Sequence, residues 1–513
     1  MITSRLMRTL VRSSVCRFQS TTGAGVAESD DVVDSPRPLS DMPGPGGIYR
    51  MPYLGLAFML KPFTNISQQD FHLLLDQLHD KYGEIVRMKV GNGDWVCTAD
   101  PHDIERIYKS EGKYPKRFGL LMIEHHFNKT KKEKTIAFLQ GPKWAELRQH
   151  IQRKLVRPKS ALYYIDGQAS VSRDFVERLK TTKPEDVRDL LFSYSTESIG
   201  VVCFNKRMGF MDEEMDPEVA DYFENNKQFF TLLNKGITGF PFYKYFETPM
   251  YKKVINTYEK TYSFGRKQVE ESLEQTKKMK EEGTFDAEEP NFMMSLLAEE
   301  RLTTDQISGI VLDLLIGGTD STAKTLEVML DVLARHPEEQ EKLYKEVHQF
   351  LGDDGDPTAE NLPKMKYLVA CCKESMRMNY PVVSGSNRIL TEDIILSGYH
   401  VPKNTLILLN NRRMVLDRKY ASDPDRYIPE RWLRDAEGNK NVNIPSVGMI
   451  PFSIGVRNCV GRRFAEQEIY LATAKIIQKF KVGLVNPEVK NTITYQTFAT
   501  LQDPAMLTFT SRR

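Results

Sequence analysis

The chain has 513 residues, of which 40% are hydrophobic and 27% are charged, a balance that is typical of folded globular proteins and excludes disordered or fibrous ones. The formal net charge is +2, and because the first 27 residues hold four arginines and no acid, the remainder carries −2. Nucleic-acid binding usually needs a basic surface on the folded body, so it gains little support. Six scattered cysteines are too few for a disulfide framework and favour a reducing compartment.

Residues 1–34 predict a mitochondrial presequence followed by a disordered linker. Arg5, Arg8 and Arg12 share one face of a helical wheel, apolar residues lie opposite, and the first acid is Glu28, which is the pattern of matrix-targeting presequences. A basic tail without function is the alternative. No later stretch reaches about 18 consecutive apolar residues, so we expect no membrane-spanning helix.

From residue 35 the chain predicts a hinge and then a helical body. Residues 35–55 are rich in proline and glycine, which suits a stiff connector rather than a helix or a central strand. Helical spacing over residues 71–83 is followed by two short strands around the turn sequence GNGD, and residues 140–480 are mostly helical in pattern. We therefore predict one large domain over residues 56–513, mainly α with small β-sheets.

The longest predicted helix begins after Thr303, which stands at capping-box spacing from Gln306, and ends at His336-Pro337. About 30 residues at 1.5 Å per residue give roughly 45 Å, enough to cross a domain. Its middle holds Gly317-Gly318, each costing about 1 kcal/mol relative to alanine. The glycines allow a ligand to approach or the helix to open locally, and a packing kink is the alternative. Four polar residues follow: Thr319, Asp320, Ser321 and Thr322.

Cys459 lies in a frame of glycines and arginines, just ahead of a helical pattern that starts near Ala465. A thiolate before a helix N-terminus is stabilised by free N–H groups and can bind a soft metal. Gly455 permits a turn that is closed to other residues, Gly461 lets a flat ligand lie near the backbone, and Arg457 offers donors to a carboxylate. Together these residues predict a flat, carboxylate-bearing, metal-centred ligand, and haem meets all three conditions.

The segment FSIGVRNCVG resembles the complete haem-binding signature of the cytochrome P450 family, carried by Phe452, Gly455, Arg457, Cys459 and Gly461. Further matches follow in the family's order: Trp144 and Arg148 in WAELR, Gly318, Asp320 and Ser321 in GGTDS, Glu374 and Arg377 in KESMR, and Arg431 in YIPERW. The resemblance covers about nine tenths of the chain, from Pro43 to the C-terminus. It implies the cytochrome P450 fold with a single large haem domain.

The resemblance implies that Cys459 is the axial ligand of the iron of haem b, framed by Phe452, Gly455 and Gly461. Ligation by a thiolate favours cleavage of the O–O bond of dioxygen. The resemblance also assigns the haem propionates to four side chains that donate hydrogen bonds: Arg457, Trp144, Arg148 and Arg388.

Two further groups of residues take their expected roles from the resemblance. The first is an ion network buried behind the haem, with a structural role, made of Glu374, Arg377 and Arg431. The second is Asp320 with Ser321, which resembles an acid and an alcohol that relay protons across the long helix. The family usually has threonine where this chain has Ser321, so Thr322 is the alternative hydroxyl.

The segment VGRRFAEQE resembles the mitochondrial subgroup of the family, as do SEGKYPKRFG and LVRPKSALYYI. That subgroup receives electrons from NADPH through a flavoprotein reductase and a small acidic [2Fe-2S] ferredoxin. Arg462 and Arg463 are the expected docking residues on the haem's proximal face, and Lys373 matches one lysine of the subgroup's docking pair. Val369 occupies the place of the second lysine, with Lys366 nearby as the candidate to compensate.

Residues 238–253 interleave lysines with aromatic residues, namely Phe240, Phe242, Tyr243, Tyr245 and Phe246. This pattern suits a patch in a membrane interface, and a buried aromatic cluster is the alternative. The resemblance implies peripheral association with the matrix side of the inner mitochondrial membrane at this patch. It also predicts a mostly apolar substrate pocket lined by residues 118–127, Leu314, Gly317, residues 382–386 and residues 498–500.

The expected function is a haem-thiolate monooxygenase that uses O₂ to hydroxylate a sterol, steroid, secosteroid or lipophilic xenobiotic. Two alternatives stay open. One is a related isomerase or dehydratase that acts on hydroperoxides without an electron donor, and the retained Asp320 and Ser321 argue against it. The other is a haem-binding sensor without turnover, which has no need of a proton relay.

Overall fold

One long helix crosses the domain and organises the elements around it. The computed structural model describes residues 35–156, 160–235, 241–284, 291–383, 386–434 and 442–512. The predicted presequence, Phe240 and residues 384–385 of the predicted pocket lie outside these ranges. The described residues from Arg37 onwards belong to one compact unit.

The described part of the chain is mainly α-helical with small sheets, as the sequence predicts. Its α-helices are α1 (Gly55–Phe58), α2 (Phe71–Tyr82), α3 (Pro101–Lys109), α4 (Leu121–Thr130), α5 (Gly141–Leu155), α6 (Ile165–Leu179), α7 (Val187–Phe204), α8 (Pro217–Lys235), α9 (Pro249–Glu281), α10 (Phe292–Leu297), α11 (Thr304–Arg335), α12 (Pro337–Leu351), α13 (Lys366–Met378), α14 (Asn411–Val415) and α15 (Arg462–Lys479). Short 3-10 helices occupy Leu39–Asp41, Gly47–Arg50, Gln68–Asp70, Leu162–Tyr164, Pro184–Asp186, Phe242–Lys244, Leu362–Lys364 and Pro429–Trp432.

The strands are short and form small sheets at the edges of the helical body. They are β1 (Arg37–Pro38), β2 (Ile85–Val90), β3 (Gly93–Thr98), β4 (Asn387–Ile389), β5 (Ile394–Leu396), β6 (Tyr399–Val401), β7 (Leu406–Leu409), β8 (Phe480–Leu484), β9 (Ile493–Gln496), β10 (Phe498–Leu501) and β11 (Leu507–Ser511). The largest sheet has the order β2-β3-β7-β4, in which β3 and β7 are parallel and the other neighbours are antiparallel. In the second, β6 lies between a parallel β1 and an antiparallel β5, while β9-β10 and β8-β11 are antiparallel pairs.

Helix α11 confirms the predicted long helix, including its capping box. The Thr303 side chain accepts a hydrogen bond from the N–H of Gln306, and the Gln306 side chain accepts one from the N–H of Thr303. The helix packs against α7, α9 and α15 in the largest hydrophobic core. A Cβ on Gly318 would lie 2.8 Å from the Ile199 side chain of α7, whereas one on Gly317 would meet nothing within 4 Å. Gly318 therefore permits close helix packing, and the helix continues through both glycines without a break.

The expected hinge over residues 35–55 packs onto the body at its beginning. Arg37 and Pro38 pair with Tyr399 and His400 of β6, and the side chain of Met42 is 1% exposed. Proline is compatible with a strand at a sheet edge because its missing N–H is not needed there. The composition of this segment predicted an extended connector. It could not predict the pairing with β6, because that strand lies more than 350 residues away in sequence.

The aromatic segment after α8 divides between the surface and the interior. Phe242, Tyr245 and Phe246 are 51%, 74% and 59% exposed, whereas Tyr243 is buried. Tyr243 thus agrees with the buried aromatic cluster, and the three exposed side chains leave the membrane-interface patch a prediction. Among the described helices, none is both long and apolar enough to cross a membrane.

Candidate active site

A cavity of about 990 Å³ extends from Cys459 along one face of α11. The helix contributes Leu314, Gly317 and Ser321 to its wall, three or four residues apart as one helical face requires. Most other lining residues are apolar, such as Phe138 from the segment before α5. Of the predicted pocket segments, the residues that line the cavity are Phe118, Gly119, Leu120, Leu121, Met122, Leu314, Gly317, Val382, Val383, Ser386 and Phe498.

Cys459 is presented to the cavity by a tight loop. Its N–H donates to the carbonyl of Phe452 at 2.9 Å, and Gly455 adopts a φ of +77° within the loop, a backbone conformation that favours glycine. Helix α15 begins at Arg462 with Gly461 as its N-cap, so the cysteine precedes the helix by three residues. The loop thus places the sulfur beside the first N–H groups of α15, as the sequence predicts.

The surroundings of the Cys459 sulfur have opposing effects on the pKa of its thiol. Burial raises the pKa of the thiol, and hydrogen bonds from the N–H groups of Gly461 and Arg462 together with the charges of Arg148 and Arg117 lower it. The side chain is nevertheless exposed, because its free surface faces the cavity that it lines. A soft metal ion bound there would favour the thiolate further.

Three buried arginines converge on the same end of the cavity, namely Arg117, Arg148 and Arg457. Burial lowers the pKa of Arg117 and of Arg148 to about 10, and burial with repulsion from neighbouring arginines lowers that of Arg457 to about 9. Among the described residues none of the three forms an ion pair with a carboxylate, and Nε of Arg117 has no hydrogen-bond partner. Buried cations without an ion-pair partner are costly, so this end of the cavity fits an anionic ligand such as the two carboxylates of haem.

Local contacts hold these arginines in place. Arg457 donates to the carbonyl of Pro115 and to the side chain of Gln140 at 3.0 and 2.8 Å, and its guanidinium lies 3.8 Å from the centre of the Trp144 ring. Arg148 donates to the carbonyl of Asn458 at 2.8 Å. Trp144 therefore supports Arg457 through a cation–π contact, in addition to lining the cavity itself.

Arg388, the fourth residue expected at the propionates, has a different environment from the other three. It is 2% exposed, it is not among the residues that line the cavity, and its guanidinium is ion-paired with Glu111. The expectation rested on the resemblance alone, which gave no indication of an acid so distant in sequence. Arg117, which the sequence analysis did not identify, occupies the cavity wall instead.

The polar residues in the middle of α11 point in different directions. Ser321 donates to the carbonyl of Gly317 at 2.7 Å and lines the cavity. Thr322 also contributes to the cavity wall, but its hydroxyl oxygen is buried beside Glu468 of α15, whose raised pKa it helps to oppose. Asp320 is buried and ion-paired with Lys324 at 2.8 Å. Burial raises the pKa of Asp320, and Lys324 opposes that shift.

The predicted ion network is assembled as expected. Both oxygens of Glu374 accept hydrogen bonds from Arg377 at 2.9 and 3.0 Å, and Arg431 donates to the same carboxylate at 3.1 Å. The N–H of Ile428 and the indole of Trp432 complete its partners at 3.1 and 2.8 Å. Glu374 and Arg377 are fully buried, so the network ties α13 to the segment around residues 428–432.

The four predicted docking residues lie on two helices that contact each other, α13 and α15. All four side chains are exposed: Lys366, Lys373, Arg462 and Arg463. Arg462 and Arg463 share Glu466 as an ion-pair partner at 2.9 and 3.8 Å. The charge of the two arginines is therefore partly offset by Glu466.

Sequence reasoning missed three residues of this region. Asp313 is the only charged residue between Gln306 and Gly318 of the long helix, and that isolation in an apolar run was a usable signal. Lys324 stands four residues after Asp320, a spacing that brings helical side chains together. Arg117 carried no local signal, because its partners come from segments far along the chain.

Comparisons with known proteins agree with this geometry. A sequence model of the family described as Cytochrome P450 matches residues 45–509. Cytochrome P450 CYP12A2 of Musca domestica is 30% identical over 497 residues, covering 92% of this chain and 90% of that protein. Probable cytochrome P450 12a5, mitochondrial, of Drosophila melanogaster is 31% identical over 446 residues and 82% of each chain. Sterol 26-hydroxylase, mitochondrial, of Mus musculus is 30% identical over 486 residues, 91% of this chain and 87% of that protein.

The family match extends over most of the chain and includes the cysteine loop, the central helix and the buried ion network. The relatives span most of their own length in the alignment. The chain therefore belongs to the cytochrome P450 family of haem-containing monooxygenases.

Proposed function

We propose that the protein is a haem-thiolate monooxygenase that hydroxylates a lipophilic substrate with O₂ and electrons from a [2Fe-2S] ferredoxin. The observation that carries the proposal is the floor of the cavity, where the Cys459 sulfur lies among three arginines that form no ion pair with a carboxylate of the described residues. A thiolate-ligated haem, when bound, supplies the cleavage of the O–O bond. The apolar wall above this floor suits a substrate with an unactivated C–H bond.

The other roles are assigned to residues of this chain. Cys459 would hold the iron, with the charge of its thiolate stabilised by the N–H groups of Gly461 and Arg462. The arginines that line the cavity would hold the propionates. The hydroxyl of Ser321 is anchored on the Gly317 carbonyl and faces the cavity, so we assign proton delivery to Ser321 rather than Thr322, with Asp320 as the acid behind it.

We propose further that the protein works in mitochondria. The amphipathic arginine-rich segment 1–34 would be the presequence and linker, residues 35–55 the connector, and residues 56–513 the haem domain. The exposed cations of α13 and α15 would receive the acidic ferredoxin. The exposed aromatics Phe242, Tyr245 and Phe246 would associate peripherally with the matrix side of the inner membrane.

Substrate class follows from the cavity and from the relatives. A relative from Mus musculus is a sterol 26-hydroxylase, and the residues that line the cavity away from the arginines are mostly apolar, which suits a lipophilic ligand. We propose a sterol, steroid, secosteroid or lipophilic xenobiotic as the substrate.

The first test is spectroscopic. Reduced protein treated with carbon monoxide should absorb at about 450 nm, the band that gives the family its name. Cys459→Ser should abolish the band, and Cys372→Ala, at a buried cysteine on α13, should retain it. A band that survives in Cys459→Ser would refute the assignment of the ligand.

The second test is turnover of a binding substrate with ferredoxin, its reductase and NADPH. Product that depends on all three supports a monooxygenase. Product from a hydroperoxide without an electron donor would indicate the isomerase or dehydratase, and no product under any condition would indicate a sensor.

The third test concerns proton delivery. Ser321→Ala should lower product formed per NADPH consumed and raise hydrogen peroxide, because the hydroxyl that faces the cavity is lost. Thr322→Val, at the neighbouring buried position, is the matched control and should keep the coupling of wild type. An unchanged ratio in Ser321→Ala would exclude the relay role.

A further inference from the structure

The cavity has a second polar feature, on the α11 wall away from the arginines. Among the described residues that line the cavity, Asp313 of α11 is the single acidic one. Lining residues next to it on the helix, Ile310 and Leu314, are apolar, as is Val254 of α9. A carboxyl in an apolar wall is costly unless it is hydrogen-bonded, so its partners indicate what it can do.

Asp313 is only partly satisfied by the protein. The hydroxyl of Thr135 donates to one carboxyl oxygen at 2.9 Å, and the N–H of Ala137 donates to the other at 2.8 Å. A carboxylate offers about four acceptor sites, so each oxygen retains capacity for another hydrogen bond. Burial raises the pKa of Asp313 to about 7, opposed by the hydrogen bonds from Thr135 and Ala137.

No charge on the neighbouring helix compensates this carboxyl. The titratable groups that interact with it from α9 are Tyr258 and Tyr262. Burial raises the pKa of both phenols, and the Asp313 charge adds to the shift, so both stay neutral near pH 7. Unlike the floor of the cavity, this wall offers one weakly charged group and no cation from α9.

The distance between Asp313 and Ser321 along α11 indicates how long a ligand must be to contact both. It lies eight residues before Ser321 on the same continuous helix, which corresponds to roughly 12 Å along the helix axis. Gly317 lines the cavity between them, and no atom lies within 4 Å of where its Cβ would be. An elongated molecule can therefore lie along α11 and reach both residues.

We propose that Asp313 is a specificity-determining residue, whose carboxyl binds a hydroxyl group at one end of an elongated lipophilic substrate and so places the other end at Ser321 and the haem that Cys459 would hold. This inference rests on the proposed monooxygenase function and narrows its substrate class to lipophilic alcohols. A hydroxyl suits the site because it can donate to the carboxylate and accept from the protonated acid, and both forms are populated near pH 7. A substrate that ends in a hydrocarbon would leave the carboxyl with only its two protein partners, Thr135 and Ala137.

The experiment measures binding of matched probes to the haem-loaded enzyme by the optical shift of the haem band. The pairs are cholesterol with cholest-5-ene, pregnenolone with its 3-deoxy analogue, and hexadecan-1-ol with hexadecane. Wild type should prefer the alcohol of at least one pair by about tenfold or more, as one hydrogen bond to a charged group predicts. Asp313→Leu should reduce that ratio to about one, Asp313→Asn should keep part of it, and Thr135→Val should keep most of it.

The ratio of affinities for the alcohol and its matched hydrocarbon distinguishes a role of Asp313 in binding substrate from a purely structural role. If Asp313 only anchored residues 135–137, its substitution would change the affinity for both members of a pair equally. Wild type without preference for the alcohol in any pair, or Asp313→Leu with an unchanged ratio, would overturn the inference. The 450 nm band of each preparation reports haem ligation separately, so loss of the band in wild type would contradict the proposed function instead.

Discussion

Two groups of buried charges lie near the cysteine loop, and they are built in opposite ways. In the network around Glu374, one carboxylate accepts hydrogen bonds from two arginines, a backbone N–H and an indole. At the cavity floor, three arginines have no ion-pair partner among the described residues, and the pKa of each is lowered. The first group is complete within the protein and stabilises the fold. The second is incomplete, which indicates that its counter-charge comes from a ligand.

The largest expected effect comes from breaking the complete network. Glu374→Gln leaves two buried guanidinium groups without a full counter-charge, so it should lower the free energy of unfolding by about 3–5 kcal/mol. Urea denaturation followed by circular dichroism measures this. Glu177→Gln, which removes an exposed pair with Lys180, is the control and should cost about 0.5 kcal/mol or less. Equal effects of the two substitutions would mean that the network is not structural.

Substitution of an arginine at the cavity floor should have the opposite effect on the stability of the haem-free protein. Arg457→Leu removes a buried cation that has no ion-pair partner among the described residues, so the haem-free protein should lose little stability or gain some. The haem-loaded protein should lose one charge-assisted hydrogen-bonding group, about 1.5–3 kcal/mol, which corresponds to roughly 10–100-fold faster haem loss.

Transfer of haem to apomyoglobin measures the rate of loss. The matched variant is Arg388→Leu, because Arg388 already has Glu111 as its partner. That variant should destabilise the haem-free protein by leaving a buried carboxyl unpaired. If both variants behaved alike, the distinction between complete and incomplete groups would not hold.

The smallest effect concerns Asp313, an acid with no cation beside it. Burial raises its pKa to about 7, above the value of about 4 in an unfolded chain. The folded state therefore binds more protons between these values, and stability falls as pH rises through this window. Between pH 6 and pH 7 the haem-free protein should lose about 1 kcal/mol from this group.

The measurement is the difference between wild type and Asp313→Asn in urea denaturation at the two pH values. The variant lacks the titrating group, so its stability should vary less with pH by that amount. Parallel curves for the two proteins would show that Asp313 does not titrate in this range.

The predictable parts of the molecule are those encoded locally. The capping box of α11, the turn at Gly455 and the cysteine before α15 each depend on residues close together in sequence, and each is found as predicted. The ion network joins distant residues, and it was predicted only because the family resemblance linked Glu374 with Arg431.

The partners of Arg388 and Arg117 illustrate what local pattern does not contain. Glu111 lies 277 residues before Arg388, and Arg117 donates to the backbone of Arg457 across 340 residues. Such contacts depend on how loops from different parts of the chain meet, and no periodicity or spacing records that. The ion pair of Asp320 with Lys324 is a different case, because its four-residue spacing was present in the sequence.

The parallel pairing of Arg37 and Pro38 with β6 bears on how the protein can be shortened. Two residues near the amino end complete a three-stranded sheet whose other strands come from residues 394–401. A truncation for expression that begins at Ser35 keeps this strand, whereas one that begins at Met42 exposes the edge of β6 to pairing with other chains. Soluble yield should therefore fall abruptly between those two starting points.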